Sequence, residues 1–76
     1  MDPEIVKFVA VAIIASLGLM GPALAIGLIG HTALNGMARN PEAGGKIMPS
    51  MILAIAFAEA IAIYALIVAI LLAMVV

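Results

Sequence analysis

Two long stretches almost free of charge decide what this chain can become. Phe8 to Ala38 and Ile47 to Val76 run for 31 and 30 residues; the first has no formal charge and the second only Glu59. The other six charges lie outside them, Asp2, Glu4 and Lys7 at the start and Arg39, Glu42 and Lys46 in one central stretch. About 20 apolar residues cross a hydrocarbon core ~30 Å thick, so each run is long enough to span. In lipid every backbone polar group must find its partner within the protein. Two spans with a short polar join therefore fold as a helical hairpin, and the class is an all-α membrane protein. Ile55-Ala56-Phe57-Ala58-Glu59-Ala60-Ile61-Ala62-Ile63 alternates large and small with period two, a strand pattern when read alone. A lone strand leaves unpaired edges in lipid, so this segment too is assigned to helix. The expected organisation is an N-terminal segment 1–7, a transmembrane helix 8–38, a polar loop 39–46 and a second transmembrane helix 47–76.

Composition excludes the other classes. With 76 residues, 68% of them hydrophobic and 9% charged, a soluble domain would leave too much apolar surface in water. There is no cysteine for a disulfide framework, and no metal site is expected. The net charge of −1 excludes a nucleic-acid binder driven by phosphate neutralisation. A cleaved signal peptide is disfavoured by the acidic leader and by an apolar run far beyond the roughly 7–15 residues of such segments. Asn40 before Pro41 is pushed out of the α region and supports reversal there, and Gly44-Gly45 reads as a second break or a loose entry into the next helix. Arg39 and Lys46 in the loop, against Lys7 alone in the tail, place the loop on the cytoplasmic side.

Small residues on the first span suggest how copies pack. At about 100° per residue, Gly21 and Ala25 form one stripe and Ala23, Gly27 and Gly30 another across the helix. One stripe serves a single partner. Two opposed stripes suit a helix between two neighbours, and head-to-tail repetition closes into a homo-oligomeric ring when the rotation permits. Pro22 is expected to bend this helix unless nearby groups satisfy the freed carbonyl.

Glu59 is the residue out of place. It lies 13 residues beyond Lys46 and 17 before the C-terminus, near mid-membrane. A charged side chain there costs roughly 2.5–3.5 kcal/mol on insertion scales. The second span offers no basic partner, and desolvation favours the neutral form of a carboxyl. A carboxylic acid kept neutral in lipid, yet able to ionise beside a cation or a water path, is a proton carrier. A hairpin reversing near Pro41–Glu42 pairs positions whose numbers sum to about 84. That puts Ala23, Ala25, Ile26 and Gly27 around Glu59, with backbone carbonyls as acceptors. Tyr64, five residues on, is too far round the helix for its own Glu59 and is either a donor to an adjacent copy's acid or a packed aromatic.

At this point the residues resemble a known family. Gly21-x-Ala23-x-Ala25-x-Gly27, Ala38-Arg39-Asn40-Pro41-Glu42 and Phe57-Ala58-Glu59-Ala60 look like the c subunit, the ring-forming proteolipid, of F-type ATP synthases, and the likeness covers essentially the whole chain. Tyr64 resembles the tyrosine five residues after the acid in the cyanobacterial and chloroplast-type members. The resemblance implies a rotor ring with the first helix inside and the second outside. Each Glu59 would take a proton from one half-channel, carry it through lipid and release it into another, with Phe57, Ala60 and Tyr64 near the site. It would face an arginine of the synthase's a subunit and react with a hydrophobic carbodiimide (DCCD). Arg39, Asn40 and Pro41 would touch the gamma and epsilon subunits of the central stalk. The implied setting is an energy-transducing membrane, the bacterial cytoplasmic membrane, and the chain itself is non-catalytic, with no cofactor beyond the transported proton.

Two departures bear on the cargo and the stalk. Asn40 stands where the family usually has glutamine. Sodium-carrying members have a glutamine opposite the acid and a serine or threonine after it; here those positions are Ile26 and Ala60, which give sodium no oxygen. The alternatives are a sodium-carrying ring, a structural or pore-forming hairpin, and a small multidrug exporter, which needs about four spans and an aromatic pocket. His31 lies outside the recognised pattern and reads as a polar residue bonded to a backbone carbonyl or lining the ring, with Thr32 and Asn35 interfacial beside it. Phe8 and the methionines read as packing or lipid contacts.

Overall fold

The computed structural model describes residues 2–75, so Met1 and Val76 of the expected outer segments lie outside the described residues. Helix α1 spans Pro3–Arg39 and helix α2 spans Gly44–Met74, joined by Asn40 and a single 3-10 turn, Pro41–Ala43. The result is one antiparallel hairpin, 58 × 17 × 8 Å. Both helices are long and apolar enough to cross a membrane. The strand-like alternation around Glu59 is helical throughout, as the need for internal hydrogen bonding requires.

Local chemistry explains the ends. The Asp2 carboxylate accepts from the Glu4 backbone N–H at 2.9 Å, and Pro3 occupies the first helical position, where a missing N–H costs nothing. Helix α1 therefore begins five residues before the apolar run does, and the acidic tail is its first turn. Asn40, at φ −139° and ψ 85°, breaks the helix just before Pro41, as the steric clash with the proline ring dictates. Of the two readings of Gly44-Gly45, the second break does not occur and the glycines form the entry into α2. Both glycines are helical, no glycine has positive φ, and the polar join contracts to four residues, Asn40 to Ala43. The proline-led 3-10 turn already reverses the chain and hands it directly to α2.

Lipid supplies no hydrophobic drive for two apolar helices to associate, so close packing must hold the hairpin together. The inward face of α2 is a row of alanines, Ala54, Ala58, Ala62, Ala65 and Ala69, spaced four, four, three and four residues apart; Ala58 and Ala69 are the buried side chains of the helix. Against it α1 sets Gly18 and Pro22. A methyl placed on Gly18 would stand 2.9 Å from Ala65 Cβ, and one on Gly36 3.2 Å from Ile47 Cδ1. Both pairs have numbers adding to 83, within one residue of the register read from the loop. Pro22 does not interrupt α1, which is continuous through it. Its ring is buried, and it lacks the N–H that the Gly18 carbonyl would use.

Candidate functional site

Glu59 sits fifteen residues from Gly44 and fifteen from Met74, so about 22 Å of helix separates it from either end of α2. It lies one position past the buried Ala58, and one residue of helix turns the chain by about 100°, which carries its side chain off the seam to one flank of the hairpin. There it lines a groove of about 300 Å³ between the helices. Pro22, Ala23 and Ile26 line the groove from α1, and Ala62, Ile63 and Leu66 accompany Glu59 on α2. In the single chain the carboxylate is exposed along this flank, and the only ion pair among the described residues, Lys7–Glu4 at 3.7 Å, is far away at the end of α1. Among the described residues no side-chain hydrogen bond reaches Glu59 either. Its immediate surroundings offer methyl, methylene and proline ring carbons.

Of the neighbours read from the sequence, Ala23 and Ile26 share the Glu59 groove. Ala25 is half-buried and outside it, and Gly27 is exposed with nothing within 4 Å of where a Cβ would stand. Gly21 and Gly30 are open in the same way. Phe57 and Tyr64 are exposed, 65% and 67%, and Ala60 is half-buried. Five residues of helix turn through about 140° beyond a full circle, so Tyr64 stands on the flank opposite its own Glu59. Arg39 and Asn40 close α1 and Pro41 opens the 3-10 turn, all three exposed at the tip of the hairpin.

Two features escaped the sequence. Gly18, not the stripe glycines, makes the close approach inside the hairpin; its signal was its position one turn before Pro22, in step with the alanines of α2. The second is a larger groove of about 530 Å³ on the other flank, nearer the loop, where Thr32, Lys46 and Ser50 join Leu28, Met51 and Ala54. Ser50 Oγ donates to the Lys46 carbonyl at 3.2 Å, which ties that hydroxyl to its own helix. The hairpin thus carries an acid beside a groove on one flank and an exposed, hydroxyl-bearing aromatic on the other.

Comparison with known proteins matches residues 9–72 to the family of the ATP synthase C subunit. The chain is 44% identical over 72 residues to the ATP synthase c subunit of Dehalococcoides mccartyi, covering 95% of both chains. It is 42% identical over 74 residues to the ATP synthase c subunit of Thermosynechococcus vestitus, covering 95% of this chain and 90% of that one. Against the ATP synthase c subunit of Chloroflexus aurantiacus the identity is 39% over 66 residues, with 87% of each covered.

Proposed function

This chain belongs to the ATP synthase c-subunit family, non-catalytic membrane proteins that form rings, and from that membership we propose that its ring carries protons, one on each Glu59. The observation behind this reading is the Glu59 groove, where every lining side chain other than Glu59 itself offers only carbon, with no second carboxyl, hydroxyl or amide. A sodium ion needs several oxygens to replace its hydration shell. A proton needs one carboxyl and one acceptor. Ile26 faces the acid where a carboxamide would serve sodium, and Ala60 follows it where a hydroxyl would.

In a head-to-tail ring the flank bearing Glu59 meets the flank bearing Phe57 and Tyr64 of the next copy. The neighbouring tyrosine hydroxyl and the backbone carbonyls then become the partners of the neutral acid, and lipid covers the rest. Discharge takes place beside a cation, an arginine of the synthase's a subunit, where the carboxylate is stabilised by its charge. The loop residues Arg39, Asn40 and Pro41 face the cytoplasm and grip the gamma and epsilon subunits of the central stalk. A potential of 100 mV is worth roughly 2.3 kcal/mol per proton, so several sites discharge for each ATP.

The test is carbodiimide labelling of Glu59 in the assembled synthase at neutral pH, with and without sodium. Labelling that sodium leaves unchanged, together with loss of proton-driven ATP synthesis in Glu59→Gln at unaltered ring mass, is the expected result. Protection by sodium would reassign the cargo, and coupling that survives the amide would remove Glu59 from the mechanism.

A further inference from the structure

The larger groove holds polar side chains that the proton site does not use. It follows α2 from Lys46 to Ala54, eight residues or about 12 Å, and begins two residues inside the loop end of that helix. Its lining changes in chemical character along that length. Lys46 stands at the mouth, exposed, in the first turn of α2, where the positive end of the helix dipole disfavours a cation. No acid answers it: Lys7–Glu4 is the only ion pair among the described residues, so Glu42, four residues earlier, leaves Lys46 unpaired. Four residues deeper come two hydroxyls that the hairpin register sets at one level, Ser50 on α2 and Thr32 on α1. Ser50 Oγ already donates to the Lys46 carbonyl, whereas the Thr32 hydroxyl forms no hydrogen bond among the described residues. Beside and below them the walls are carbon, from Leu28, Met51 and Ala54.

We infer that this groove binds an anionic phospholipid of the loop-side leaflet, its phosphate at Lys46, an ester carbonyl at the Thr32 hydroxyl and an acyl chain along Leu28, Met51 and Ala54. The order of the chemistry carries the assignment. From the loop inward the groove offers a cation, then a free hydroxyl, then carbon. From its head inward a glycerophospholipid offers an anion, then ester acceptors, then hydrocarbon. Basic pockets between membrane helices take anionic headgroups by the same match. A second copy of the chain fits less well. Apart from Glu42, the acids are Asp2 and Glu4 at the far end of α1 and Glu59, 13 residues or about 20 Å deeper than Lys46. A neighbour's flank would therefore cover the ammonium with carbon alone, and a charge buried without a partner is costly. The site lies on the flank away from Glu59 and stands whichever cation that acid carries.

The test places the intact synthase in phosphatidylcholine nanodiscs doped with a photoreactive lipid, a diazirine on one acyl chain of either phosphatidylglycerol or phosphatidylcholine. After illumination the labelled chain is mapped by peptide mass. The phosphatidylglycerol probe is expected to label the segments around Leu28 and Met51 about fivefold more than the phosphatidylcholine probe, the effect of one lysine on an anionic headgroup. Lys46→Gln should bring the first probe down to the level of the second, and Lys46→Arg should restore the difference. Arg39→Gln, which removes a loop cation outside the groove, should leave the difference in place. Equal labelling by the two probes in the parent overturns the site, and so does the same loss from Arg39→Gln as from Lys46→Gln, which would mean diffuse attraction to a charged surface. A groove without label in a ring of normal mass belongs to the next copy, and label abolished by inorganic phosphate assigns the mouth to a free anion; either result overturns the lipid. Thr32→Val should lower the phosphatidylglycerol label about twofold, the lower end of a hydrogen bond's net contribution. Unchanged label in that variant overturns the order of chemistry on which the assignment rests.

Discussion

Gly18 and Gly27 are the same residue type in the same helix, nine positions apart, and their surroundings differ completely. Gly18 is pressed against Ala65, with no space for a methyl group. Gly27 has nothing within 4 Å. One glycine lets two helices of the same chain approach; the other leaves a gap that this chain alone does not fill. The same division runs through the whole molecule. The seam of alanines on α2 against Gly18, Pro22 and Gly36 on α1 is complete within one hairpin. The flanks, which carry Glu59, Tyr64, His31 and the open glycines, are left uncovered by the chain's own two helices. The closed surface holds the hairpin together, and the open ones carry the proposed proton site.

The sharpest way to break this comparison is Gly27→Leu. It should abolish the oligomer, since every copy–copy contact is altered at once, while circular dichroism of the detergent-solubilised chain keeps its helix content. A ring of normal mass would show that the open glycine faces lipid. Next in size, Gly18→Ala should destabilise the hairpin by about 1–3 kcal/mol, the usual cost of overpacking, in a monomeric preparation titrated with denaturing detergent. Unchanged stability would mean that the seam has slack. The smallest effect belongs to Pro22→Ala, which returns an N–H to the Gly18 carbonyl but removes a buried ring from the seam. The two changes oppose each other, and the same titration should move by no more than ~1 kcal/mol. A large loss would make the proline ring, not the alanines, the main seam contact.

Much of the fold was legible because the bilayer leaves so few choices. The span lengths, the hairpin, the reversal at Asn40-Pro41 and the depth of Glu59 all follow from where the charges stand. The register between helices came within one residue, since a short loop fixes it. Whether Gly44-Gly45 would break the chain or open the second helix stayed undecided, because glycine permits a bend without requiring one; the 3-10 turn had already reversed the chain, so the pair opens α2. The two glycine stripes were visible as pattern. Which glycine served which contact was not, because a small residue announces close approach without naming the partner.

By itself, then, the sequence determined two membrane helices, their order and the depth of a single acid, because the energetics of backbone and charge in lipid depend on position along one chain. Only the tertiary structure decided which faces of those helices meet. That choice turns Glu59 onto one flank with Ala23 and Ile26, sends Tyr64 to the other, and leaves Gly21, Gly27 and Gly30 open. The physical reason is steric. Two rods of apolar side chains have no solvent-driven preference within a bilayer, so the tightest fit of small residues sets the rotation, and that fit exists only once both surfaces are in contact.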